Sequence, residues 1–394
     1  MLIKALATPA VAGYSTVPEL DQALPVFARL NVMPLAELSR TSTPFLVLNA
    51  RRLAVAITEQ PESQPIALKR FLISVVDSFS HVLEGTSIPI GLAGLVVFPV
   101  LGIGVGCEGE VVTALRVVSR NKIEVETSQR TIEFDPLCAP PELQLDNSLI
   151  STEPKVAVIA DGLTHLFEDE YLSEIDVTMK TRRDMAELVK QALTLMLEAS
   201  PASYQAVRAI LRWVVPIRFY RVDVHRSFTS PRLSGVVFAS LNADVLGMSE
   251  ALVHETAHSE LNMLLEIEEL LPEHPEAVYY SPWRSDPRPI SGLFHALYVF
   301  GKVLSFLQDI QTTARPLATE AEKHGFLIAH RIIIGHRQLR GNLSNPRARE
   351  IVDEALEVAE YYLTRIRTAD IPQCILDHQN EWRCQHPELE CMVA

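Results

Sequence analysis

Residues 251–265 of the chain read ALVHETAHSELNMLL and contain His254-Glu255-x-x-His258. On a helix, two histidines four residues apart share one face, about 6 Å apart, so both imidazoles can reach a single ion. The intervening glutamate falls on a neighbouring face, where a carboxylate can polarise a metal-bound water. In a zinc peptidase that water becomes the nucleophile for amide hydrolysis. His254 and His258 are therefore candidate metal ligands, and Glu255 is a candidate catalytic residue.

A third ligand has to come from elsewhere. The continuation found in one large peptidase group needs Gly at 261 and His at 264, and both are leucine here. Glu266 and Glu269 lie eight and eleven residues beyond His258. On the same helix they are roughly 12 and 16 Å away at 1.5 Å per residue, too far for the same ion. Glu273, His274, Glu276, Asp286 and His295 remain. His295 is the choice, because ISGLFHALYVFGKVLSFL surrounds it with apolar residues and a buried imidazole needs a partner. His274 sits in the acidic loop PEHPEA, where water solvates it. A three-histidine set brings no charge of its own and favours an anionic exogenous ligand. Peptidases that take a glutamate from a following helix are a poor match, since 290–312 contains none.

Just before His295 runs YYSPWRSDPRPISGLFH, 279–295. Pro282, Pro287 and Pro289 stiffen it and restrict where Arg284 and Arg288 point. Arginine suits two-point capture of a carboxylate. The plainer alternative pairs both with nearby acids such as Asp286 and Glu276.

Taken together, HETAH at 254–258, SPWRSDPRP at 281–289 and GLFH ending at His295 resemble the HExxH-type peptide-modification proteins linked to ribosomally made, modified peptides. The resemblance covers roughly 205–370, is strongest at 250–300, and does not extend to the first 170 residues. It implies an iron(II)- and 2-oxoglutarate-dependent peptide β-hydroxylase, with a precursor peptide and dioxygen as the other reactants. On that basis His254, His258 and His295 hold Fe(II), and Arg284 or Arg288 anchors the distal carboxylate of 2-oxoglutarate. C–H hydroxylation needs no general base, so Glu255 takes an orienting role instead. One departure stands out: oxygenases of this cosubstrate class usually place two histidines and a carboxylate on a β-barrel, and no carboxylate ligand is evident here. Two other readings compete. One is a zinc metallopeptidase with Glu255 as general base, and the other is a non-catalytic peptide-binding partner.

The elements that must position these residues divide into two parts. Residues 1–170 read as a helical and β-rich N-terminal region for scaffolding or peptide recognition. Its helical stripes lie at 20–40 and 64–84, followed by β-branched runs from 86 to about 160. Residues 171–394 read as a mainly helical catalytic domain built around the zincin-like motif helix, giving an α+β protein. Helices are expected at 179–199, through SYQAVRAILRWVV to a stop at Pro216, at 247–271 capped by Ser249, and at 290–312, 317–340 and 346–368. Strands are expected at IRFYRVDV and GVVFAS, with HRSFTSPRLS turning between them. Its residues His225, Ser227 and Ser230 are minor candidates for contacting cosubstrate or peptide, and GVVFAS for pairing with an extended peptide.

Composition sets the remaining bounds. A formal net charge of −14 weighs against nucleic acid or an anionic membrane as the main partner. Five cysteines, an odd number with no C-x-x-C pair, fit a reducing cytoplasmic compartment. Cys384, His386 and Cys391 match no common metal spacing. Thr8-Pro9 interrupts the apolar start too early for an export signal. Residues 85–107 are uncharged, but their glycines and prolines read as strands and turns rather than a membrane helix.

Overall fold

The chain is an α+β protein, seen here in a computed structural model. The residues it describes are 64–80, 83–93, 96–98, 103–105, 110–119, 121–135, 148–152, 155–158, 174–176, 178–219, 221, 224–231, 233, 235–271, 278–366, 370–387 and 389, with Val26, Asn49, Ala50 and Leu53. The predicted helix at 20–40, apart from Val26, lies outside them. So do Cys107, Cys138 and Cys391. Two compact units form: 1–149 with 157–182 and 232–236, and 150–156 with 183–231 and 237–394.

In the first unit, helix α1 (Gln64–Phe79) is followed by strands β1 (Thr86–Ala93), β2 (Val96–Phe98), β3 (Ile103–Val105), β4 (Val111–Ser119), β5 (Lys122–Thr127) and β6 (Thr131–Phe134). Within the uncharged stretch at 85–107, the described residues 86–93, 96–98 and 103–105 are strands, in line with the reading of its glycines and prolines. An antiparallel sheet runs β1-β4-β5-β6, and β2 and β3 pair as a separate hairpin. Alternation puts Val112, Leu115, Val117, Ile123 and Val125 inside, where they join Leu68, Phe71, Leu72, Val75 and Val76 of α1 in one core. The solvent side carries cross-strand ion pairs, Arg116 to Glu124 and Glu126 and Lys122 to Glu133, and one within β5, Lys122 to Glu124.

The remaining elements are mainly helical. Strands β7 (Ser148–Thr152), β8 (Lys155–Val158), β9 (Trp213–Ile217), β10 (Ser227–Thr229) and β11 (Val236–Ser240) form a sheet in the order β10-β11-β9-β8-β7. Helices α2 (Met179–Ala199) and α3 (Pro201–Ile210) precede β9. Then come α4 (Val245–Ile267), a two-stranded ladder of β12 (Val278–Tyr279) and β13 (Arg288–Pro289), α5 (Ile290–Thr313), α6 (Ala318–Leu339), α7 (Pro346–Ile366) and α8 (Gln373–Gln385). Helix α5 packs against α4, α6 and α7. It is long and apolar enough to cross a membrane, and Leu293, Phe294, Leu297, Leu304 and Phe306 are buried in the core.

Three local expectations are corrected, and one helix is added. The helix before Pro216 stops at Ile210, and Trp213–Ile217 is a fully buried strand. Leu211 is already extended, and β-branched Val214 and Val215 suit a sheet interior better than a helix end. The predicted strand IRFYRVDV is absent after Ile217 among the described residues; the strand lies instead at Ser227–Thr229, inside the predicted turn. The motif helix is capped by Asp244, whose carboxylate accepts from the Gly247 amide at 2.7 Å. Ser249 sits inside the helix and donates to the Val245 carbonyl at 2.7 Å. Finally, α8 was not foreseen, since its mixed polar sequence shows little helical apolar spacing.

Close helix approach is set by small residues. A Cβ on Gly301 would lie 3.0 Å from the Ala355 Cβ, and one on Gly325 would collide with the Tyr362 ring. Tyr362 is 1% exposed, and its hydroxyl donates to the Ala321 and Glu322 carbonyls at 3.1 and 3.2 Å. Alanine is favoured over glycine in a helix by about 1 kcal/mol, whereas overpacking costs about 1–3 kcal/mol and a displaced buried tyrosine more. Gly325→Ala is therefore expected to lower stability by about 1–2 kcal/mol, read as a lower urea midpoint. A raised midpoint would show that helix propensity wins and that α6 and α7 have room there.

Candidate metal centre

Helix α4 sets its two histidines by one turn of spacing, and α5 brings the third. The His254 and His258 rings lie edge to face with centroids 4.9 Å apart. Across the α4–α5 seam, His258 Nδ1 is 3.3 Å from His295 Nδ1, a contact between residues 37 apart in sequence. The His254 ring also meets Phe300 of α5 at 5.0 Å, and Phe300 is stacked on Trp283 at 4.8 Å. Aromatic surface therefore closes one side of His254.

The three rings are held neutral at pH 7. Burial pulls His254 down to about 4. Burial, then the neighbouring His254 and His295, pulls His258 to about 3. Burial alone lowers His295. A neutral imidazole keeps a lone pair for a metal or a hydrogen bond. Two nitrogens bound cis to one ion at about 2.1 Å lie about 3 Å apart, so the Nδ1 pair of His258 and His295 fits a shared metal. Without metal, one of these nitrogens donates its proton to the other. Among the described residues no three His, Cys, Asp or Glu side chains are already closed around a common point. The centre is thus a ready pair with a third histidine beside it.

Glu255 reaches the sheet. Its Oε1 accepts from Ser227 Oγ of β10 at 2.8 Å, and the residue is 3% exposed. Next to it, Ser259 donates to the Glu255 carbonyl at 3.3 Å and lies 3.4 Å from the Thr229 hydroxyl. Burial raises the Glu255 carboxyl to about 7, and the Ser227 hydrogen bond opposes that rise. Ser227 thus contacts the motif glutamate, His225 Nδ1 contacts Ser240 Oγ at 3.2 Å, and Ser230 is buried.

These shifts give a pH profile for the metal-free protein. His254 and His258 are depressed below 6.5, so the stability they contribute is present above pH 6.5 and lost on acidification. From pH 7 to 5 they cost roughly 2 kcal/mol each. Glu255 is raised from 4.5 to about 7, so its contribution is present below pH 4.5 and lost as pH rises through 7; over the same acidification it returns roughly 2 kcal/mol. His295, His225, His330 and His378, also lowered, and His324, raised, titrate in parent and variant alike, so Glu255→Gln should lose roughly 2 kcal/mol more than the parent between pH 7 and 5. Denaturant titrations in chelator across this range check it; parallel profiles for parent and variant contradict the assignment of Glu255.

The arginine loop reaches α5 through β13. Asp286 takes both guanidinium groups, from Arg284 Nε at 2.9 Å and from Arg288 Nη1 at 3.2 Å. Its carboxyl is held below the usual range mainly by the Arg284 hydrogen bond, which removes Asp286 from the free metal-ligand candidates. Arg284 is 59% exposed and Arg288 35%. Arg288 lies over Gly292, where a Cβ would come 3.0 Å from its Nε. Gly292 is three residues before His295, one turn away on the same side of α5, so Arg288 is the arginine positioned by the histidine helix. The candidates Glu273, His274 and Glu276 lie outside the described residues.

Sequence reasoning did not find the partners of this loop on α8. The Tyr280 hydroxyl pairs with His378 Nδ1 at 2.7 Å, Trp382 packs on the Tyr280 ring at 5.3 Å, and His386 Nε2 donates to the Ser285 carbonyl at 3.3 Å. Trp283, an aromatic in a proline-rich loop, was the available signal for the wall beside His254. No family model and no curated protein matches the chain.

Proposed function

We propose that the second unit is the catalytic part of an iron(II)- and 2-oxoglutarate-dependent oxygenase that β-hydroxylates a side chain of a ribosomally made peptide. The observation carrying this reading is the 3.3 Å approach of His258 and His295 across two helices, with His254 alongside. These three residues would hold the iron. When bound, iron(II) with 2-oxoglutarate and dioxygen replaces C–H by C–OH, while the cosubstrate leaves as succinate and carbon dioxide. Arg288, set against Gly292, binds the distal carboxylate in exchange for part of its pairing with Asp286; Arg284 is the outer alternative. Trp283 and Phe300 exclude water from one side of His254. Glu255 fixes α4 against β10 through Ser227 rather than moving a proton.

Exposed free Cys374 and Cys384 and the net charge of −14 support a reducing cytoplasmic setting, with a peptide rather than nucleic acid or membrane as partner. A second reading, the zinc peptidase, draws on the Glu255 carboxyl near 7, a value suited to a general base. Incubation with candidate peptides separates the two. The oxygenase consumes 2-oxoglutarate only with iron(II) and peptide, and the peptide gains one oxygen atom. Peptide fragments formed with zinc and without 2-oxoglutarate would overturn the proposal.

A further inference from the structure

Arg284 and Arg288 share a carboxylate, but Arg331 of α6 has none. Among the described residues Arg331 makes no ion pair and no hydrogen bond, and its Nε is sealed from solvent without an acceptor. The titratable groups acting on it are Cys374 and Tyr280, and neither is a carboxylate. Tyr280 also feels Arg383, a second positive charge. Glu381 acts on His378 rather than on Arg331. Burial lowers the guanidinium below its ordinary value. Arg331 is half-buried, and an Nε sealed without an acceptor is a local cost that an anion meeting the guanidinium would relieve.

The same face of α6 carries further unsatisfied donors. Gly335, one turn beyond Arg331, has the Trp283 ring 3.4 Å from where its Cβ would stand. Trp283 Nε1 is buried without a partner, and so are Gln338 Nε2 and Oε1, a turn farther along. On the α8 side, Trp382 packs on Tyr280, and its Nε1 is buried without a partner too. Buried polar atoms are nearly always satisfied, so a local run of unpartnered N–H groups is where the oxygens of a ligand would find donors. Three of these four atoms are N–H donors, carried by the Arg331 face of α6 and by the two segments that flank it.

The geometry points to a binding site for a compact oxyanion, the carboxylate of a small organic acid or inorganic phosphate, held by Arg331 between α6, α8 and the loop at 279–289. Arg331 supplies the charge and a two-point fork, and the Trp283, Gln338 and Trp382 N–H groups accompany it. The site uses none of the three histidines, meets their centre only through the Trp283 ring, and does not rest on the oxygenase reading.

The test uses the full chain, metal-free in chelator, with succinate and inorganic phosphate as probes and chloride at matched ionic strength as control. Trp283 and Trp382 are two of the three tryptophans, so binding should change emission saturably and raise the melting temperature. Response to succinate alone or to phosphate alone identifies the source. Arg331→Met should weaken binding by at least about 30-fold while melting no lower than the parent without anion, since it removes an uncompensated charge. Arg331→Lys keeps the charge, loses the fork and should weaken binding by about 10-fold. No saturable response beyond the chloride control, or an unchanged affinity in Arg331→Met or, if that variant does not fold, in Arg331→Lys, would overturn the inference.

Discussion

His295→Ala is expected to lower iron(II) affinity by at least about 100-fold and to abolish 2-oxoglutarate turnover, while the fold survives. Removing one of three ligands leaves an ion with two protein donors, and such sites lose most of their binding free energy. The substitution opens space at the α4–α5 seam, where His258 loses its 3.3 Å neighbour. That neighbour also lowers the pKa of His258, so the lone variant should bind protons more readily than the parent. His295→Gln keeps the bulk and a polar tip, and should fold as the parent does while still failing to hold iron. Equilibrium dialysis with metal analysis, beside circular dichroism of both variants, reads these outcomes. Iron affinity unchanged in both would place the third donor elsewhere, with Glu273, His274 and Glu276 the next candidates.

Glu255→Gln separates oxidation from hydrolysis most sharply. A peptidase that loses its general base should lose at least about three orders of magnitude in rate. An oxygenase in which Glu255 only binds Ser227 should keep its turnover within about 10-fold, because a glutamine carbonyl still accepts the Ser227 hydroxyl. Ser227→Ala makes the complementary test. It leaves a buried carboxyl without its donor, should push the Glu255 pKa higher still, and should cost about 1–3 kcal/mol of stability. Peptide turnover by Glu255→Gln below a thousandth of the parent value would restore the carboxylate as a base.

Much of the centre was legible because its signals are local or chemically exclusive. The four-residue spacing of His254 and His258 needs only helix geometry, and a histidine in the apolar run of α5 needs a partner. Those two facts made His295 the choice among five candidates for the third ligand, and the structure places it in contact with His258. The α+β class was legible from the change of hydrophobic period near residue 86. What failed were choices decided by tertiary context. Trp213–Ile217 is apolar enough to end a helix or cross a sheet, and only complete burial decides between them. Asp244 and Ser249 are both good caps, and the helix start at Val245 selects the first. The role of Asp286 was also a matter of competition: one carboxylate between two arginines sits better as their counterion than as a metal ligand. Arg331 carried no signal, because an arginine in a helix ordinarily reaches water.

The central claim is that His254, His258 and His295 hold iron(II) for oxidation. It is tested most directly by anaerobic titration of the metal-free chain with iron(II) and 2-oxoglutarate. The expected result is the visible charge-transfer absorption of an iron(II)–2-oxoglutarate chelate, saturating at one iron per chain and absent in His258→Ala and His295→Gln. No such absorption in the parent, with zinc bound tightly in place of iron, would contradict it.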